Sequence, residues 1–134
     1  MIGWKECIKF NPNTKSMPFD IYLVKLDIPD DAIVCKCGPS DLVSNRYRCS
    51  KARVIDIIGN PKTDVVESLR AVTWYARGRT KSALSYCTYK LGEMVYPDSF
   101  DEDPTHAYSN GIYFIDELSE VLKYKYGTME IFRN

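Results

Sequence analysis

Histidine is almost absent from this sequence: His106 stands alone among 134 residues. Acid–base chemistry is therefore left to one loop residue or to carboxylates. No apolar run reaches the 18 residues that a membrane helix needs. The opening stretch, MIGWKECIKF, carries Lys5, Glu6 and Lys9 where an export signal would carry its apolar segment, so no such signal is expected. There is no repeat, no low-complexity tract and no Gly-x-Ser-x-Gly nucleophile elbow. Net charge is zero, with 18 basic and 18 acidic residues. A polyanion such as duplex nucleic acid calls for a basic excess, so it is not an expected partner.

Cysteine is present in an odd number: Cys7, Cys35, Cys37, Cys49 and Cys87. Without an export signal these read as reduced thiols in a cytosol. Cys35-Lys-Cys37 has the look of half a zinc site, but no second pair stands near it in the sequence, so incidental thiols and no metal are expected. The carboxylates Asp98, Asp101, Glu102 and Asp103 lack the glycine and the distal glutamate of a calcium-binding loop, and read as a solvated acidic loop.

What is present is a globular composition, 45% apolar and 27% charged, in a chain long enough for one core-forming domain over residues 1–134. Alternation marks strands at residues 3–10 and 20–29, the second closed by Pro29. A further strand, with room for a bulge, spans 47–58 and stops at Gly59-Asn60-Pro61. Residues 63–78 carry the strongest helical spacing, with Val65, Leu69, Val72 and Ala76 three or four apart. Asp64 and Glu67 suit its start and Gly78 its end, against a β-leaning patch at Val72-Thr73-Trp74-Tyr75. Residues 83–97 alternate and break into a hairpin at Gly92. A short strand follows Asn110-Gly111, then a helix at 116–127 capped by Asp116, then a last strand at 128–134. The expected class is α+β: a mainly antiparallel sheet with one or two short helices in a single compact domain.

Charge is segregated along the chain. Residues 45–81 hold nine basic residues against three acidic, leaving +6; residues 92–121 hold eight acidic and no Lys or Arg, leaving −8. These blocks either neutralise one another as neighbours or leave a face for an anion. Two basic clusters carry the second option. RYRCSKAR (46–53) offers Arg46, Arg48, Ser50 and Lys51 to phosphate, through bidentate and point-charge contacts. ARGRTK (76–81) offers Arg77, Arg79 and Lys81 on a glycine-containing loop. Trp74 and Tyr75 nearby suit stacking on a base.

The motifs GWKEC, YLVKLDIPDDA (22–32), RYRCSKARVIDI (46–57), YKLGEMVYPDSFDED (89–103) and SNGIYFIDELSEV (109–121) occur in one order. In that order they resemble an uncharacterised domain family of tailed-phage and giant-virus proteins, also found attached to pentapeptide-repeat segments. The resemblance covers roughly residues 1–58 and 89–124. Relatives tend to carry His where Tyr113 stands and Cys where Tyr108 stands, and residues 63–78 resemble an elaboration of a shorter loop. What the resemblance implies is a setting: a small viral protein in the cytosol of an infected cell.

Together these point to a binding protein without a catalytic set or cofactor, sequestering a small phosphate-containing, nucleotide-derived immune signal. The expected ligand residues are Arg46, Arg48, Ser50, Lys51, Trp74, Tyr75, Arg77, Arg79 and Lys81, with Tyr113 as a pocket wall. A homo-oligomer is expected, with no membrane partner. Two alternatives remain open at this point. One is an enzyme acting on a nucleotide or NAD-like substrate, with His106, Glu93 or Glu117 as base. The other is an adaptor for an acidic host protein.

Overall fold

The computed structural model describes residues 1–10, 19–36, 46–76, 79–105 and 110–119, with Phe10, Phe19 and residues 69–76 and 79–86 described in backbone only. Nine strands are found among them: β1 (Ile2–Phe10), β2 (Phe19–Asp27), β3 (Val34–Lys36), β4 (Arg46–Cys49), β5 (Ala52–Ile58), β6 (Val65–Ala76), β7 (Arg79–Lys90), β8 (Met94–Val95) and β9 (Ile112–Ile115). They form one sheet in the order β3-β4-β9-β1-β2-β5-β8, with β6 added to β1 and β7 to β6. Every pairing is antiparallel. The sheet curls into a half-barrel.

Alternation fixes the inner face. Tyr22, Val24 and Leu26 on β2 pack with Val54 and Ile57 on β5, Cys7 on β1, Val66 on β6, Tyr89 on β7 and Val95 on β8. Ile112 and Phe114 on β9 join the same core, and the Phe114 ring stacks on Tyr47 at 5.5 Å between centroids. The opposite face carries cross-strand charge pairs: Lys25 stands opposite Asp56, and Asp27 opposite Arg53. The register of β2 and β5 shifts between Lys25 and Leu26, leaving Ile55 unpaired as a bulge. Close approach of aromatic rings restricts two glycines. A Cβ on Gly3 would run into the Phe114 ring and Ile28, and one on Gly59 into the Tyr22 ring.

The mainly antiparallel sheet agrees with the sequence reading, but the helix at 63–78 does not. Residues 65–76 are β6, the first arm of a hairpin whose second arm is β7, in continuous register from Val65–Lys90 to Ala76–Arg79. The β-leaning patch at 72–75 decides the local preference, and pairing along the whole of β7 outweighs a helical spacing that four apolar residues satisfied. Buried Val66 lies out of phase with that apolar stripe and in phase with the core face of a strand. The stretch read as one strand over 47–58 divides at Ser50-Lys51 into β4 and β5, which pair with different partners. Gly92 does turn the chain, at a φ of +85°, but β8 then pairs with β5 rather than folding back on β7. The helix read over 116–127 is seen only at its start, Leu118-Ser119. The remainder of that helix, the strand read at 128–134, His106, Tyr108, Cys37 and Arg77 lie outside the described residues.

One edge of β1 is shared. Trp4 pairs with Ile115 of β9, and Ile8 pairs with Glu67 of β6. Because β9 holds the edge near Trp4, β6 does not continue along β1 past its base. The outer part of the β6–β7 hairpin therefore has no third strand among the described residues. At roughly 3.3 Å per residue, the arm from residue 69 to residue 76 extends about 23 Å.

Candidate functional site

The first basic cluster is turned toward its own chain. In β4 and β9 the pairs Tyr47–Phe114 and Cys49–Ile112 face the core, so Arg48 and Tyr113, which stand opposite each other, share the other face. Cys35 of β3 stands opposite Arg48 and extends that row. Arg48 is nevertheless fully buried, because the acidic loop folds over it. Its guanidinium donates to the carbonyls of Asp101, Asn110 (3.2 Å) and Asp103 (2.7 Å), and lies 5.4 Å from the Phe100 ring centroid. The Cys35 thiol approaches the Glu102 carbonyl at 3.9 Å. A planar fork of N–H donors suits several carbonyls at once, as an ammonium would not.

The loop is also internally braced. The Asp103 amide donates to the Asp101 carboxylate at 2.9 Å, and the Thr105 amide and hydroxyl donate to the Asp103 carboxylate at 2.9 and 2.6 Å. The Asp101 amide donates to the Asn110 carbonyl at 3.2 Å. The basic and acidic segments are thus neighbours at Arg48, and they meet largely through backbone carbonyls.

The other residues of the cluster also have internal contacts. The Ser50 hydroxyl accepts from the Ile33 amide at 2.9 Å while the Ser50 amide donates to the Ile33 carbonyl at 3.0 Å. Lys51 pairs with Asp31, whose carboxyl is held below its ordinary pKa by the hydrogen bond from that ammonium. Arg53 donates to the Gly92 carbonyl at 2.9 Å. Arg46 is half-buried opposite Ile115. Tyr113 is half-buried, on the face away from Ile112 and Phe114, and its carbonyl accepts from Lys5 at 2.9 Å.

The second cluster sits elsewhere. Trp74 and Tyr75 are on β6, Arg79 and Lys81 on β7, near the turn of the hairpin. The register sets Trp74 opposite Lys81, Tyr75 opposite Thr80 and Ala76 opposite Arg79. Strand pairing does not bring this tip to the first cluster, since β9 and β1 intervene between β4 and β6.

Sequence reasoning missed Lys5 and the groups around it. Lys5 lies on the core side of β1 with Cys7; its ammonium spans to β9 at the Tyr113 carbonyl and stands 5.9 Å from the Tyr89 ring centroid. Burial pushes the Cys7 thiol up to about 12 against the lowering field of Lys5. Burial likewise pushes Cys49 up to about 12, opposed by a backbone hydrogen bond at Lys51 and by Lys5. Cys87 is raised by burial, and Tyr89 well above its ordinary value for the same reason. These thiols stay protonated at neutral pH and are poor nucleophiles. Among the described residues no group of three His, Cys, Asp or Glu side chains is arranged to hold a metal ion. No helix among them is long and apolar enough to cross a membrane.

The chain belongs to a family described only as "Family of unknown function (DUF5758)", whose model matches residues 1–121. No curated protein and no solved structure matches it.

Proposed function

We propose that this chain is a non-catalytic binding domain that takes up a small phosphate-bearing ligand at the tip of the β6–β7 hairpin. The observation that carries the reading is the register there: Lys81 opposite Trp74, Thr80 opposite Tyr75 and Arg79 opposite Ala76. Guanidinium and ammonium groups supply phosphate contacts, and flat aromatic rings supply a stacking surface for a base. Arg48, Ser50 and Lys51 are left out of the contact set, because each has a partner within the fold.

In the phage and giant-virus setting that the resemblance implies, such a ligand is a nucleotide-derived immune signal in the host cytosol. The action is sequestration by a homo-oligomer. Burial keeps the Cys7 and Cys49 thiols protonated at neutral pH, which disfavours them as nucleophiles.

The test is uptake. Purified protein is incubated with a panel of cyclic di- and trinucleotides and cyclic ADP-ribose relatives, then heat-denatured, and the released material is identified by mass spectrometry. Intact ligand from the wild type and none from the Arg79→Ala/Lys81→Ala variant supports the proposal. Altered ligand would assign an enzyme instead, and no uptake of any member would sink the reading.

A further inference from the structure

We propose that the edge of β6 over residues 69–76, which no described strand covers, pairs with the same edge of a second copy of this chain, joining two hairpins into one four-stranded antiparallel ribbon. A two-stranded ribbon is marginal by itself in water and gains stability from a third strand. Here β1 is prevented from being that strand beyond Glu67, because β9 occupies its edge at Trp4. No other described strand pairs with β6 on that side.

The two edges of the hairpin differ in composition. The outer part of β7, RTKSALSY, carries Arg79 and Lys81, the charged residues that protect a free edge. The outer part of β6, LRAVTWYA, has one charge, Arg70, no proline, and the strand-forming run Val72-Thr73-Trp74-Tyr75. Free edges of natural sheets are blunted by charge, proline or bulges, and β6 lacks all but the single arginine.

A second copy fits this edge better than a foreign strand would, because identical strands pair antiparallel about a twofold axis with the same patch on both sides. A twofold normal to the ribbon sets one residue opposite its own copy; centred on Val72, it pairs residues 69–75, with Val72 opposite the partner's Val72 and Leu69 opposite the partner's Tyr75. Seven residues in that register exchange about six to eight backbone hydrogen bonds. Each hairpin tip, with Trp74, Arg79 and Lys81, then lies beside the base of the other hairpin. The inference stands on the edge alone and does not depend on the ligand reading.

The experiment uses the full chain without ligand. Sedimentation velocity across micromolar concentrations should give twice the 15.4 kDa chain mass. The double variant Val72→Lys/Thr73→Lys sets like charges opposite each other across the twofold and should return the mass to 15.4 kDa with an unchanged circular dichroism spectrum. Ser82→Lys, on β7 opposite Thr73, should leave the dimer intact. Amide exchange is the second readout. In the dimer all amides of 69–75 are protected, whereas in a lone hairpin alternate ones exchange quickly. A monomer at every concentration would overturn the proposal, as would a dimer that survives the double variant with alternate amides of 69–75 still exchanging fast.

Discussion

Replacing Arg48 by Met tests whether the first basic cluster is structural. The substitution keeps most of the side-chain length and removes the guanidinium. Three loop carbonyls, those of Asp101, Asp103 and Asn110, then lose a charged donor under a loop that buries it completely. Each buried acceptor left unpaired costs about 1–3 kcal/mol. The Asn110 carbonyl keeps the Asp101 amide as donor, and the loop can lift and rehydrate, so the lower end applies to the other two and the sum is about 2 kcal/mol. For a domain of this size that lowers the melting temperature by about 6–10 °C. Arg48→Lys should recover little, because one ammonium cannot reproduce the fork. Urea denaturation gives the stability change, and limited proteolysis at 98–105 reports loop release. A loss below about 1 kcal/mol with unchanged cleavage would refute the structural role.

Three further outcomes follow from the same geometry. Lys51→Met breaks the Asp31 pair, which is open to solvent on the aspartate side, and should leave the denaturation midpoint close to that of the wild type. Gly3→Val drives a branched side chain into Phe114 and Ile28, and should destabilise by about 2 kcal/mol or more in the same assay. The thiols predict an alkaline limb. Cys7 and Cys49 ionise near 9 when unfolded and near 12 when folded, so their contribution is complete below pH 9 and is lost between about 9 and 12. Stability should fall there by up to about 1.4 kcal/mol per pH unit for each thiol, and Cys7→Ala/Cys49→Ala should flatten that limb.

Several elements were legible in the sequence, for stated reasons. Tyr22, Val24 and Leu26 alternate with Leu23 and Lys25, so β2 follows from period-two patterning, whereas the stretch 47–58, read as one strand, breaks at Ser50-Lys51 and carries its bulge at Ile55. Alternation along Ile112-Tyr113-Phe114 is enough to set Tyr113 on the face away from its two buried neighbours. The β6 error came from a spacing that helix and strand both satisfy, settled by pairing with a strand that a local window does not contain. In β1 the alternation was plain but the inside was not, since Cys7 and Lys5 point to the core while Trp4 and Ile8 do not. The burial of Arg48 depends on carbonyls 53 to 62 positions away in the chain, and no local pattern carries that information.

The central claim is that, of the two basic clusters, the hairpin tip is the one that meets a phosphate ligand. Titration calorimetry of the panel member taken up, against wild type, Arg79→Ala/Lys81→Ala and Lys51→Ala, tests it most directly. Loss of two charge-assisted contacts should weaken binding at least about a hundredfold in the hairpin variant, with Lys51→Ala within about twofold of wild type. Full affinity in the hairpin variant, with binding lost in Lys51→Ala, would contradict it.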